Sequence, residues 1–238
     1  MHSSIAIGIL LVFDGEVELR GEAGPPVRLC RSGPNAAIMP SGVAHAKPVL
    51  PSDSDRPARM VMAIVDPDSP YGRVFAARLG PDHAAPASWV AAAAPCHPAV
   101  REPDADDPAG VRVVDAALAV LASEPTPPMP ALHPALRKAA ELIPARLSAG
   151  VELRDLAAEV GLSASRLGHL FAVQLGLPYR AYVRWARLQK VVEVLRDGGT
   201  LTSAAHAAGF TDSAHMNRMC RSVFGINPSE LIRNLTWV

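Results

Sequence analysis

Arginine and histidine side chains in the C-terminal half of this 238-residue chain supply chemistry suited to an anionic, hydrogen-bonding partner. The guanidinium group of Arg218 can donate two hydrogen bonds side by side, which matches the O6 and N7 acceptors of guanine. His169 can donate one hydrogen bond to a base edge or to a phosphate. The guanidinium groups of Arg166, Arg184 and Arg221 fit the oxygens of a phosphate group.

The distribution of charge supports this chemistry, although the net charge of the whole chain is zero. Residues 1–127 hold 10 Lys and Arg against 15 Asp and Glu, a balance of −5. Residues 128–238 hold the other 13 basic and 8 acidic residues, a balance of +5. Such an asymmetry is typical of a protein with one end that faces nucleic acid.

The basic half contains two copies of one sequence pattern. Residues 156–163 recur 48 positions later as residues 204–211, and after one inserted residue the match continues at an offset of 49. In each copy a glycine, Gly161 or Gly209, lies where a helix must end in a left-handed conformation. Ser163 or Thr211 follows two residues later and is predicted to cap the next helix. The pattern therefore predicts two helix-turn-helix units, each with its second helix presented outward.

A long helix is predicted between the two units, over residues 179–196. Its 18 residues span about 27 Å as an α-helix. A rod of this length can hold two recognition helices about 34 Å apart, which is one turn of B-DNA. The helices of the two units are predicted at residues 153–160, 163–175, 201–208 and 212–223, and Pro144 is predicted to kink or end a helix that begins near Pro134.

Residues 134–238 resemble the DNA-binding domain of the AraC/XylS family of bacterial regulators. The first unit carries the resemblance through Leu156, Ala157, Gly161, Leu162, Ser163, Leu167, Phe171, Gly176, Tyr182, Arg187 and Leu188. The second unit carries it through Ala205, Gly209, Phe210, Asp212, Arg218, Arg221, Phe224, Gly225 and Pro228. The resemblance implies a sequence-specific transcription regulator, not an enzyme, whose partners are double-stranded DNA and RNA polymerase.

The resemblance also implies which residues contact DNA. Base-reading positions of the family include Gly168, which has no side chain and cannot read a base. Arg187 matches a position that we expect to form a structural ion pair. The base-reading candidates are Ser165, His169, Ala214, Asn217 and Arg218, and the phosphate candidates are Ser163, Arg166, Arg184 and Arg221.

Short apolar or alternating segments predict β-strands in the N-terminal third. They cover residues 5–13, 16–20, 27–30, 36–39 and 59–65, and clusters of Gly, Pro and Ser separate them. Asp14-Gly15 is a signal for a hairpin between the first two strands. Helices are predicted at residues 71–79 and 111–122, and four prolines between residues 125 and 130 indicate an extended spacer.

The sequence thus predicts an α+β protein. A small cupin-like β domain covers residues 1–123, a proline-rich linker covers 124–133, and an all-α domain with two helix-turn-helix units joined by a long helix covers 134–238. The stretch Met39-Pro40-Ser41-Gly42-Val43-Ala44-His45 resembles the cupin turn that ends in histidine. Because such a domain often binds an effector or dimerises in the AraC/XylS family, a small-molecule effector and a second copy of the chain are expected partners.

Two enzyme alternatives are disfavoured, and one binding alternative stays open. A metal-dependent cupin enzyme needs an H-x-H pair with further ligands, and the chain has no H-x-H. A DNA-repair methyl acceptor needs four cysteines for its structural zinc, and this chain has three scattered ones. The open alternative is a DNA-binding protein whose N-terminal half only dimerises.

The cysteines and the first apolar run predict the compartment. Cys30, Cys96 and Cys220 indicate reduced, buried thiols rather than a disulfide framework or a zinc site. The apolar run at residues 5–13 is shorter than the roughly 20 residues that span a bilayer, and no basic segment precedes it. We therefore expect a cytoplasmic protein with no cofactor, no bound metal and no membrane partner.

Overall fold

The computed structural model describes residues 2–3, 7–41, 43–45, 58–80, 83–107, 110–125, 131–224 and 228. The described residues up to 125 form one compact unit, and those from 131 onward form a second. The N-terminal unit combines strands with helices, and the C-terminal unit is helical. The protein therefore has the predicted α+β architecture, with its strands in the N-terminal unit.

The strands of the N-terminal unit form three small antiparallel sheets. The described strands are β1 (His2–Ser3), β2 (Ile7–Asp14), β3 (Glu16–Leu19), β4 (Val27–Cys30), β5 (Ala36–Met39), β6 (Ala44–His45) and β7 (Arg59–Val65). β2 lies at the centre of a three-stranded sheet in the order β5-β2-β7, and the other sheets are the pairs β1-β6 and β3-β4. Residues 7–13 of β2 are all buried, as a continuous apolar run predicts.

The predicted hairpin at Asp14-Gly15 is wrong. Gly15 has a φ of 73°, which suits a turn. However, β2 pairs with β5 and β7, whereas β3 pairs with β4 in a different sheet. A strand that is buried throughout takes partners on both edges, so the chain leaves β2 for another sheet instead of folding back on it.

The helices of the N-terminal unit are α1 (Pro70–Leu79), α2 (Pro86–Ala93) and α3 (Val111–Ser123), with a 3₁₀ helix (Ala94–Ala99) after α2. Ser69 caps α1 by accepting a hydrogen bond from the Gly72 N–H at 3.1 Å. The alanine-rich sequence of α2 has no apolar periodicity, so no helix is predicted there from the sequence. Trp89 of α2 is fully buried in the core of the unit, and its Nε1 donates to the His83 carbonyl at 2.8 Å.

The C-terminal unit contains six α-helices in its described residues. They are α4 (Pro134–Leu142), α5 (Leu153–Glu159), α6 (Ala164–Gln174), α7 (Tyr179–Arg196), α8 (Leu201–Ala207) and α9 (Ser213–Phe224). The predicted bounds of α5 to α9 agree to within one residue. Pro144 begins a 3₁₀ turn (Pro144–Arg146) just after α4 ends, as its missing N–H predicts.

The helix α7 is the central element of this unit. Ten of its 18 residues are buried. The ring of Phe171 on α6 lies 5.3 Å from the ring of Tyr179 and 5.1 Å from that of Tyr182, so the first half of α7 belongs to the core of the first repeat. The second half packs against α8 and buries Leu188, Val191 and Leu195.

A helix that crosses a bilayer needs about 20 predominantly apolar residues, and this requirement can be applied to the described helices. Not one of them has both the length and the apolar composition needed to cross a membrane.

Candidate DNA interface

The turn between α5 and α6 closes with two backbone hydrogen bonds. The Leu162 N–H donates to the Ala157 carbonyl at 2.9 Å, and the Gly161 N–H donates to the Ala158 carbonyl at 3.2 Å. Gly161 has a φ of 72°. This pair of bonds around a left-handed glycine is the Schellman motif that ends many helices.

The turn between α8 and α9 has the same geometry. The Phe210 N–H donates to the Ala205 carbonyl at 2.9 Å, and the Gly209 N–H donates to the His206 carbonyl at 3.0 Å. Gly209 also has a φ of 72°. The sequence repeat is therefore a structural repeat, and each copy joins two helices by the same tight turn.

The two turn glycines differ in their surroundings. A Cβ atom at Gly161 would have no atom within 4 Å. A Cβ atom at Gly209 would collide with the carbonyl oxygen of Leu147, which lies just after the 3₁₀ turn. The second turn is thus packed against the backbone that precedes the first helix-turn-helix unit.

The caps of the two second helices confirm one prediction and correct another. The Ser163 hydroxyl accepts a hydrogen bond from the Arg166 N–H at 3.2 Å, so it caps α6 as predicted. Thr211 was the predicted cap of α9, but the carboxylate of Asp212 accepts the hydrogen bond from the His215 N–H at 2.6 Å. The inserted residue of the second repeat lies before the cap, so Asp212 is the counterpart of Ser163.

The acidic cap has a consequence for its own ionisation. The hydrogen bond from the His215 backbone N–H lowers the pKa of Asp212 below its ordinary value of 3.8. The carboxylate therefore stays charged at neutral pH and faces the positive end of the helix dipole.

The exposed face of α6 carries the predicted contact residues of the first unit. Leu167, Leu170 and Phe171 are buried on its inner side. Ser165 and His169 are exposed and four residues apart, so they lie next to each other on the outer side. Ser163 and Arg166 are exposed at the start of the helix, and Gly168 is half-buried.

The exposed face of α9 carries the predicted contact residues of the second unit. Met216, Cys220 and Val223 are buried on its inner side. The predicted residues Ala214, Arg218 and Arg221 are exposed, and Asn217 is half-buried. The two recognition helices thus expose equivalent positions with different side chains, and α9 has two arginines where α6 has His169 and Ala172.

Two arginines of α7 have different environments. Arg184, a predicted phosphate contact, is exposed. Arg187 is half-buried, and its guanidinium carbon lies 5.8 Å from the centroid of the Phe210 ring. This is a cation–π contact. Among the residues that the structure describes, it replaces the ion pair expected of Arg187.

Phe210 links three elements of the second unit. It is buried in the turn, and its ring also meets the ring of His215 on α9 edge-on at 5.3 Å. The contact with Arg187 connects the same ring to α7. In the sequence, Phe210 is one of the residues that carry the AraC/XylS resemblance. Its position directly after Gly209 is the sequence signal for a fixed orientation.

A cavity of about 550 Å³ lies on the other side of α6. The His133 N–H donates to the Gln174 side-chain oxygen at 2.8 Å at its edge. Gln174 follows Leu167 and Phe171 at helical spacing, so it is on the inner side of the helix, away from Ser165. The lining residues are Ala131, Leu132, His133, Pro134, Arg137, Lys138, Glu141 and Gln174.

The cysteines are only partly placed as predicted. Cys96 and Cys220 are buried, and burial raises the pKa of each thiol to about 11. Cys30 is half-buried. Within the described ranges, no three His, Cys, Asp or Glu side chains converge as metal ligands would.

Three parts of the sequence predictions lie outside the described residues. They are Gly42 of the predicted cupin turn, residues 126–130 of the predicted linker, and Gly225.

Comparisons with known proteins find both a matching family model and similar solved structures. Residues 156–234 match a family model described as a helix-turn-helix domain. A solved structure described as a probable AraC family transcriptional regulator from Rhodopseudomonas palustris CGA009 is 30% identical, covering 44% of this chain and 100% of that one, with a TM-score of 0.38. A comparison with curated proteins finds no match.

Two structures of ToxT from Vibrio cholerae are similar along the whole chain. ToxT from strain O395 is 15% identical, covering 100% of this chain and 92% of that one, with a TM-score of 0.58. Wild-type ToxT from strain SCE256, bound to an unsaturated fatty acid, is 12% identical, covering 100% of this chain and 90% of that one, with a TM-score of 0.56. At these identities the likeness shows a shared fold.

Two helix-turn-helix units with closed turns, capped second helices and exposed polar faces define a DNA-binding protein. The family match at residues 156–234 identifies these units as the AraC-type module. The chain therefore belongs to the AraC/XylS family through its C-terminal domain, and it is a DNA-binding transcription regulator.

The different surroundings of the turn glycines lead to a prediction about stability. We expect Gly161→Ala to cost about 1–2 kcal/mol, the strain of a left-handed alanine. Gly209→Ala carries the same strain and, because its Cβ collides with Leu147, about 1–3 kcal/mol more. Urea unfolding of the full-length variants, followed by circular dichroism, measures both losses. Equal losses would contradict the packing of the second turn against Leu147.

Proposed function

We propose that this protein is a sequence-specific transcription regulator whose N-terminal domain controls its binding to DNA. The proposed organisation is a cupin-like domain at residues 1–123, a linker at 124–133 and the DNA-binding domain at 134–238. The observation that carries the proposal is the structural repeat, in which α6 precedes and α9 follows the shared helix α7, and both expose their predicted contact positions.

The proposed base contacts lie on the outer faces of α6 and α9. Ser165 and His169 serve the first unit, and Ala214, Asn217 and Arg218 serve the second. Arg218 is exposed and lies about one and a half turns from the start of α9, so its guanidinium can reach the O6 and N7 atoms of a guanine.

The proposed phosphate contacts flank these faces. Ser163 and Arg166 lie at the first turn of α6, where backbone N–H groups and the helix dipole also favour an anion. Arg221 lies beyond Arg218 on α9, and Arg184 lies on the exposed side of α7. Charge neutralisation at these positions makes binding strongly dependent on salt concentration.

Control by the N-terminal domain is proposed to act through a small-molecule effector or through dimerisation. The fatty acid bound to ToxT, a protein of the same fold, supports an effector. The charge balance of −5 in residues 1–127 supports competition with DNA phosphates for the basic half of the chain. The proposal places the protein in the cytoplasm, with RNA polymerase as a further partner.

The assignment of base and phosphate contacts can be tested with two arginine variants of the full chain. Arg218→Ala should cost about 1–3 kcal/mol on the best site and relax the preference for one base pair. Arg184→Ala should weaken all sequences equally and reduce the slope of log affinity against log salt by about one. Titrations against a panel of single-base variants measure both effects. Identical behaviour of the two variants would contradict the assignment.

Control by the N-terminal domain leads to a separate prediction. The affinity of the full chain for its operator should differ from that of residues 128–238, and it should respond to protein concentration or to a bound metabolite. If a ligand acts, DNA must change the affinity for that ligand by the same factor. Fluorescence anisotropy of labelled operator DNA, over a range of protein concentrations and of metabolite concentrations, measures the difference in affinity. Equal affinities under every condition would leave only the DNA-binding part of the proposal.

A further inference from the structure

An apolar side chain stands on the face of α6 that is directed away from the core. Val173 is 65% exposed, the highest value for a large apolar side chain among the described residues. It follows His169 by four residues and Ser165 by eight, so the three side chains form one stripe along the helix. The buried side chains Leu167, Leu170 and Phe171 lie on the opposite side.

Val173 has no counterpart of its kind in the second repeat. The equivalent residue of α9 is Ser222, whose hydroxyl donates to the Met219 carbonyl at 2.8 Å. The neighbouring Ala172 corresponds to Arg221. The second half of the α6 stripe is therefore apolar, whereas the second half of the α9 stripe is charged or polar.

An apolar stripe on a DNA-facing helix matches one chemical group of the major groove. The C5-methyl of thymine is the apolar feature among the base edges, and aliphatic side chains contact it. Ser165 and Val173 are separated by about 12 Å along the helix axis, which corresponds to between three and four base pairs at about 3.4 Å each. If α6 lies lengthwise in the major groove, Val173 in its last turn would therefore face a different base pair from Ser165 in its first.

We propose that Val173 is a specificity-determining residue that contacts a thymine methyl group in the half-site of the first helix-turn-helix unit. This proposal rests on the proposed sequence-specific binding of DNA. The first unit lacks an arginine equivalent to Arg218, and Gly168 has no side chain. Val173 would give this unit another way to distinguish base pairs. Removal of the methyl group or of the valine should each cost the same contact.

The experiment uses the full chain and a duplex obtained by selection from random sequences. Each thymine of the half-site is replaced in turn by deoxyuridine, which lacks only the C5-methyl. For the native chain, one replacement should weaken binding about four- to fifteenfold, the range for one or two buried methyl-sized groups. Val173→Ala should lose a similar factor on the thymine duplex and should be insensitive to that replacement.

The matched control is Ser222→Ala, the equivalent position of α9. It should keep the native sensitivity to deoxyuridine at the same position. Thermal unfolding of Val173→Ala should match the native chain, because the side chain is exposed. Full affinity of Val173→Ala, or an equal deoxyuridine penalty in Val173→Ala and the native chain, would overturn the proposal. Failure of the native chain to select any sequence would overturn the proposed function as well.

Discussion

The burial of α7 is the constraint on which both helix-turn-helix units depend. Tyr179 and Tyr182 in its first half complete the core around Phe171, and Leu188 and Val191 in its second half are buried on the side of α8. One continuous helix belongs to both cores. The two recognition helices, α6 and α9, are therefore held at a fixed position relative to each other. The length of α7, about 27 Å, thereby sets the distance between them.

The two units are alike in their turns and different in what surrounds those turns. Both turns use the same hydrogen bonds and the same left-handed glycine geometry. Around the second turn, Phe210 contacts both Arg187 and His215, and Gly209 lies against Leu147. The first turn has open space beside Gly161. The orientation of α9 is consequently fixed by more contacts than the turn alone provides.

Sequence reasoning predicts features that depend on local periodicity or on a repeat. It places α7, both turns and the exposed side of each recognition helix, because an apolar residue every three or four positions determines which side is buried. It fails where the structure of a segment depends on contacts with residues that are distant in the sequence. The pairing of β2 with β5 and β7 overrides the turn signal at Gly15, and the alanine-rich α2 has no apolar pattern to detect.

The contact residues show the same division. The exposure of Arg218 and His169 follows from helical spacing, whereas the half-burial of Asn217 depends on packing that spacing does not determine. The cap of α9 was assigned to Thr211 because a one-residue insertion leaves the alignment of the repeats ambiguous at that position, and the hydrogen bond of Asp212 resolves it.

The central claim is that α7 holds two recognition helices at one fixed spacing on DNA. It is tested most directly by inserting between one and ten base pairs between the two half-sites of a selected duplex and measuring the affinity of the full chain. A rigid α7 predicts that affinity falls at the first insertion and does not return at ten base pairs, where the two grooves again share a face but lie about 34 Å further apart. Affinity that is independent of the insertion, or that recovers at ten base pairs, would contradict the account.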